Sequence, residues 1–204
     1  MIPASSAVIV FAKVPGLGIS KSRIAASHGQ AAADTVYDEL LRATSLLVAG
    51  LPYHVAFTGS SDPHSLATVF TGALSFFEQR GRALGERLGH AFSHMFELGF
   101  TEVCAIGCDC PHMTPGDIRE ALRTLQSGSD VVVGPAHDGG YYLIGTRPRN
   151  DYVFSVCGWE TPALLEQTLG VIARQGASHT LLRQLSDIDS MEDYTAWKKG
   201  ADTT

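Results

Sequence analysis

Directly after the apolar run Ala7-Val-Ile-Val-Phe-Ala12, the chain reads Lys13-Val-Pro15-Gly16-Leu-Gly18-Ile-Ser-Lys21-Ser22-Arg23, a short stretch holding three cations and two glycines. Glycines let backbone amides turn toward an anion, while Lys and Arg supply charge and forked donors. Lys13, Lys21 and Arg23 with Gly16 and Gly18 are therefore candidates to bind phosphate and to offset charge on a transferring group. The stretch is not a Walker loop, which needs glycines where this chain has Pro15 and Ser20. Nor is it a dinucleotide fingerprint, because Lys21 stands at the third glycine position. The plainer alternative is a surface loop with solvated cations; three of them in a chain of net charge -6 weigh against it.

A second candidate is Asp109, in Gly107-Cys-Asp-Cys-Pro111 after the apolar run Glu102 to Gly107. Helix capping would be its structural task, but Thr114 with Pro115 and Asp117 already makes a complete helix start. A carboxylate left over at a strand end suits Mg²⁺, which one or two carboxylates hold together with substrate phosphates and waters. In a further segment, Asp187-Ile-Asp189-Ser190-Met-Glu192-Asp193, two capping boxes compete. If Ser190 caps with Asp193, Asp189 is free to be a second ligand; if Asp189 caps with Glu192, Asp187 is the better candidate. Between two apolar runs lies His137-Asp138-Gly139-Gly140, readable as a hairpin turn or as an approach for backbone amides with Asp138 beside a ligand. Cys108, Cys110 and His112 alternate, yet they form one cluster where structural zinc sites need two, and nothing orients a base for a nucleophilic thiol.

These residues need a frame that brings strand ends together. Continuous apolar runs at Ala7 to Ala12, Tyr53 to Thr58, Glu102 to Gly107, Asp130 to Gly134, Tyr141 to Gly145 and Ser178 to Leu182 read as strands. Helical stretches are expected over roughly 30–48, 84–98, 114–128, 161–175 and 190–199. The alternation predicts an α/β fold, a mostly parallel sheet with helices on both faces, and ligands at the carboxyl ends of the strands. Leu17 and the stretch from Tyr53 to Phe77 are the candidates for a base pocket.

With 204 residues, 45% of them hydrophobic and 18% charged, the expectation is one globular domain over 1–204. The acidic balance argues against a nucleic-acid partner. Four cysteines, three of them clustered on one strand and its exit, are too few for a disulfide framework, and the first apolar run is too short to span a membrane and lacks a cleavage pattern. The expected compartment is a reducing cytoplasm; the residues leave a homodimer open.

The stretches Phe11 to Arg23, Leu84-Gly-Glu-Arg87, Gly107 to Pro111, Gly134 to Gly145 and Asp187 to Asp193, in this order, resemble a family of small bacterial GT-A-like proteins described as glycosyltransferases. More distantly the pattern is similar to phospholactate guanylyltransferase and molybdenum-cofactor guanylyltransferase. The resemblance implies a GT-A, nucleotide-diphospho-sugar transferase fold and a nucleoside triphosphate or nucleotide-sugar used with a small-molecule acceptor. It implies nucleotide contacts from Phe11, Ala12, Gly16, Gly18, Gly85, Arg87, Gly139 and Gly140, catalytic roles for Lys13, Lys21 and Arg23, and Mg²⁺ or Mn²⁺ on Asp109 and Asp189; Asp138 has no equally firm counterpart and is the catalytic candidate on the acceptor side of a glycosyl transfer. Glycosyltransferases of this fold usually carry two aspartates flanking one residue, whereas Asp109 stands between two cysteines. That departure favours nucleotidyl transfer to a phosphorylated acceptor, with glycosyl transfer as the alternative and a non-catalytic binder as the third reading.

Overall fold

A computed structural model describes residues 4–159 and 161–201. Seven strands make one sheet: β1 (Ser6–Lys13), β2 (Tyr53–Thr58), β3 (Phe76–Glu78), β4 (Glu102–Ile106), β5 (Val131–Pro135), β6 (Tyr141–Thr146) and β7 (His179–Leu181), in the order β3-β2-β1-β4-β6-β5-β7. β3, β2, β1 and β4 are parallel neighbours; β6 runs antiparallel to both β4 and β5, and β7 is parallel to β5. The sheet is therefore parallel except for β6, which returns through the hairpin at Asp138-Gly139-Gly140.

Alternation along each strand feeds two cores, as the period of two requires. Val8, Val10 and Ala12 of β1 pack with Tyr37 and Leu41 of α2 (Gln30–Leu47) and with Ile118 and Leu122 of α5 (Pro115–Gln126). Ala7 and Ile9 face the other way, onto Leu88, Phe92 and Met95 of α4 (Leu84–Glu97) and Ile172 of α6 (Leu164–Arg174). A third, smaller core joins Ile24 of α1 (Ser22–His28) and Val36 and Leu40 of α2 to Ile188 and Met191, so that the start of α7 (Met191–Ala201) is clamped beside α1. A short helix, α3 (His64–Val69), and a 3-10 turn at Asp151–Phe154 complete the chain. Among the described residues no helix is long and apolar enough to cross a membrane.

Four elements lie outside the sequence expectation: α1, α3, β3 and the 3-10 turn. Of these α1 matters most, because it begins inside the cation-rich stretch: Arg23 lies in its first turn and Lys21 is its N-cap, at φ 52 and ψ 47. The capping box at α5 is as read, with Thr114 and Asp117 exchanging hydrogen bonds. The choice at α7 is also resolved. Ser190 Oγ accepts from Asp193 N at 3.2 Å and Ser190 N donates to Asp193 Oδ2 at 2.8 Å, so Ser190 is the cap.

Candidate functional site

The carboxyl ends of β1 and β4 and the start of β6 open on one cavity of about 990 Å³, at the upper end of the roughly 300–1,000 Å³ usual for small-molecule sites. Of the residues singled out from the sequence, Phe11, Ala12, Lys13, Lys21, Arg23, Arg87, Asp109 and Asp189 line it, and so does Asp187. Gly16, Gly18, Gly85, Asp138, Gly139 and Gly140 are not among its lining residues, and of the stretch from Tyr53 to Phe77 only Thr58 is. Leu17 is solvent-exposed and likewise absent from the lining.

On one wall, cations and carboxylates are joined. The Lys21 ammonium pairs with Asp109 Oδ1 at 2.5 Å, donates to the carbonyl of Ile188 at 2.5 Å and lies 4.0 Å from Asp189 Oδ1. Arg23 pairs with Asp189 Oδ2 at 2.5 Å. The backbone ties the same loops together, since Ile188 N donates to the Asp109 carbonyl at 2.8 Å. Ile188, buried between α1 and α2, is the plug that holds its two flanking aspartates at the cavity. Burial pushes the Asp187 carboxyl up to about 7, and the charges of Asp109, Asp138 and Asp189 add to the effect against Lys21. Lys13 donates to the Ile19 carbonyl at 2.8 Å, and its backbone N–H and C=O are both held by the Tyr37 hydroxyl, at 2.7 and 3.0 Å. Burial raises the Tyr37 phenol far above its ordinary value, so it stays protonated and can serve both.

Asp109 owes its isolation to alternation. Cys108 and Cys110, on either side, are buried in the core under α2 and α5, and burial pushes each thiol up to about 12. They are uncharged packing groups at neutral pH, without the thiolate that nucleophilic chemistry requires. Both cysteines border the cavity but are almost fully buried, whereas the Asp109 side chain between them is half exposed.

The opposite wall is built by α4 and what packs on it. Arg87 donates from Nε to the Gly81 carbonyl at 3.1 Å and from a terminal nitrogen to the Arg82 carbonyl at 3.3 Å. Glu86 turns to the backbone N–H of Arg82, at 2.7 Å, leaving neither Arg82 nor Arg87 in an ion pair among the described residues. Gly85 is explained by packing: a Cβ there would collide with Trp159 Nε1 and with the Phe154 carbonyl. Trp159 in turn meets Tyr141 edge to face at 5.9 Å, and both rings line the cavity. Gly139, at φ 89, likewise leaves room for the carbonyl of Pro162, and Asp138 Oδ1 accepts from Gly140 N at 2.9 Å as a turn requires. Sequence reasoning missed Tyr37, Arg82, Tyr141 and Trp159; of these only Arg82, one of three arginines between Arg80 and Arg87, carried a charge signal.

A divalent cation can be tested against these donors. Among the described residues no three His, Cys, Asp or Glu side chains form a ready-made metal cage. Yet Asp109 and Asp189 both face one positive charge, the Lys21 ammonium. Two carboxylates facing a common cation beside an open cavity suit a hard ion whose other ligands are phosphates and waters.

A model of the family described as "Uncharacterized protein conserved in bacteria (DUF2064)" matches residues 43–161. The match takes in α4 and Asp109, with Lys13 to Arg23 and Asp187 to Asp189 outside it. No curated protein matches the sequence. Among solved structures, the chain is similar to a "putative nucleotide-diphospho-sugar transferase" from Desulfovibrio desulfuricans G20, at 28% identity and a TM-score of 0.87, over 96% of this chain and 87% of that one. It shares its fold with a nucleotidyl transferase from Methanothermobacter thermautotrophicus (13% identity, TM-score 0.64, 99% of this chain and 100% of that one). It does so also with glucosyl-3-phosphoglycerate synthase from Mycobacterium tuberculosis, solved with Mn²⁺, UDP and glucosyl-3-phosphoglycerate (12%, 0.52, 88% and 70%).

Proposed function

The chain belongs to the bacterial family DUF2064, and on that premise we propose that it is a nucleotide-dependent transferase of the GT-A type, moving a glycosyl group from a nucleotide-diphospho-sugar to a small-molecule acceptor. The observation that carries this reading is the meeting of Lys13, Lys21, Arg23, Asp109 and Asp189, from three separate segments, on one cavity at the strand ends. The likeness to the Desulfovibrio protein supports glycosyl transfer in particular. An acceptor hydroxyl oxygen attacks the anomeric carbon, the bond from that carbon to the phosphate oxygen breaks, and the nucleoside diphosphate leaves with the electron pair. Lys13, Lys21 and Arg23 offset the charge gathering on the diphosphate, which is where fixed cations lower such a barrier most. Phe11, Ala12 and Arg87 border the nucleotide. Asp138 lies outside the cavity lining, but its charge reaches Asp187, which lines it, and in this reading Asp138 is the residue assigned to take the hydroxyl proton of an acceptor bound at that edge. A divalent cation, Mg²⁺ or Mn²⁺, held by Asp109 and Asp189 would supply further positive charge to the phosphates.

One feature favours a second reading, nucleotidyl transfer. Because Cys108 and Cys110 turn into the core, the exit of β4 offers one carboxylate where glycosyltransferases of this fold usually offer two. In that reading a phosphate on the acceptor attacks the α-phosphorus of a nucleoside triphosphate and pyrophosphate departs. The products separate the two. Incubation with nucleotide-sugars and, separately, nucleoside triphosphates across a panel of hydroxylated and phosphorylated acceptors is expected to release nucleoside diphosphate from the sugar donors. Pyrophosphate release alone would replace the first reading with the second; tight nucleotide binding without turnover would leave a binder.

A further inference from the structure

Lys21 sits differently from a lysine waiting for phosphate. Its side chain is 5% exposed, its backbone is held in the left-handed region at φ 52, and its ammonium is inserted against Asp109 Oδ1 and the Ile188 carbonyl with Asp189 Oδ1 at 4.0 Å. A non-glycine residue keeps that backbone conformation only where its surroundings over-determine it. Around Lys21 these surroundings are the hydrogen bond from Ala25 N to its carbonyl at 2.9 Å and the contacts at the end of its side chain. The positive charge that the carboxylates require is thus already supplied from within the chain.

We propose that Lys21 is the resident occupant of the Asp109–Asp189 site, and that its ammonium and a divalent cation exclude one another there. Both charges cannot lie within a few ångströms of the same carboxylate oxygens without strong repulsion, because like charges at such separations oppose each other even through water and more so beside a protein wall. Arg23 does not have this role. It pairs with the outer oxygen of Asp189 from a side chain that is 76% exposed, and can swing into solvent without cost to the fold. A metal ion entering the site must therefore first displace Lys21. On the transferase reading above, and only there, the phosphates of the nucleotide are what draws the ammonium away, so that nucleotide and metal would bind with positive cooperativity.

The test needs neither nucleotide nor turnover. Mn²⁺ binding to the full chain is followed by the loss of the free-ion electron paramagnetic resonance signal, for the unaltered protein, Lys21→Met, Asp109→Asn and the double variant Lys21→Met/Asp109→Asn. Methionine keeps the stem's packing and removes only the charge, and thermal melts establish that each variant is folded; Lys21→Gln serves if Lys21→Met is not. The expected result is that Lys21→Met binds Mn²⁺ about tenfold tighter or more than the unaltered protein, and that adding Asp109→Asn abolishes the gain. Equal affinity in the unaltered protein and Lys21→Met overturns the proposal, as does failure of both to bind Mn²⁺ at millimolar concentration. Absence of glycosyl and nucleotidyl turnover would sink the transferase reading and leave this competition standing.

Discussion

Two groups of cations face the same cavity and are wired in different ways. At the ends of β1 and β4, each answers to an oxygen of the protein: Lys13 to the Ile19 carbonyl, Lys21 to Asp109 and Ile188, Arg23 to Asp189. Across the cavity, Arg82 and Arg87 have no carboxylate at ion-pair distance among the described residues, and Arg87 is steadied by two backbone carbonyls alone. In the first group Lys21 and Arg23 are neutralised by carboxylates before any ligand arrives, so an anion that uses them must replace partners already there, while Lys13, like Arg87, is held by a carbonyl. The second presents its charge at once, and its wall is shaped by packing, with Gly85 admitting Trp159. Charge removal should therefore break the first wall and added volume the second.

The largest effect is expected at Lys21. Lys21→Ala should lower turnover by a factor corresponding to about 2.7–4 kcal/mol of barrier, by analogy with the loss of a single oxyanion donor. Arg87→Ala, lacking a carboxylate partner to leave stranded, should raise KM more than it lowers kcat. Steady-state kinetics on both variants check the contrast, and a Lys21→Ala enzyme with full turnover would remove Lys21 from the chemistry.

Gly85→Ala comes next. Its methyl group would meet the Trp159 indole and the Phe154 carbonyl, and such overpacking costs about 1–3 kcal/mol. A lowered melting temperature with Mn²⁺ binding at the carboxylate wall unchanged is the expected outcome. Gly16→Ala is a useful companion, since a Cβ there meets nothing within 4 Å and only the left-handed φ of 79 resists it.

These two glycines also mark how far the sequence can be read. The strands, the α5 cap and the hairpin at Asp138 are written locally, in apolar runs and in Thr114-Pro115 with Asp117, and the chain follows them. The short elements α1, α3 and β3 are not, because pieces of three to seven residues take their shape from what they pack against. In the site, the chemical types of Lys21, Arg23, Asp109 and Asp189 were legible. Their pairing was not: Arg23 and Asp189 are 166 residues apart, and only the core at Ile188 brings them together. Gly85 enters the candidate site through the resemblance alone, while the contact that requires a glycine there, with Trp159, lies between α4 and a distant loop and leaves no local trace.

A third prediction concerns what anchors the segment leading to Asp187 and Asp189. Arg183 grips the buried Asp117 through Nε and one terminal nitrogen, each at 2.7 Å, and that guanidinium, with the Thr114 cap, holds the Asp117 carboxyl down at about 2 from an ordinary 3.8. A folded-state value below the unfolded one means that the stabilisation is complete above about pH 4 and is lost as pH falls through 2. It amounts to about 2 kcal/mol. Asp117→Asn should remove that part of the acid dependence, measured as unfolding midpoints between pH 5 and pH 2, with the carboxylate wall loosening before the α4 wall.

The smallest effect belongs to Arg23. Its pair with Asp189 is as short as that of Lys21 with Asp109, yet the arginine is 76% exposed against 5% for the lysine. Exposed pairs are worth about 0–1 kcal/mol, since water competes for both ends and two long side chains must be held still. Arg23→Ala should accordingly leave the melting temperature almost unchanged. Its trace should appear elsewhere: freeing the outer oxygen of Asp189 makes the carboxylate site more negative, so Mn²⁺ binding should tighten slightly, by much less than in Lys21→Met. If Arg23→Ala tightened Mn²⁺ as much as Lys21→Met, the wall's charges would act as a diffuse field, and burial would not be what makes one lysine the occupant.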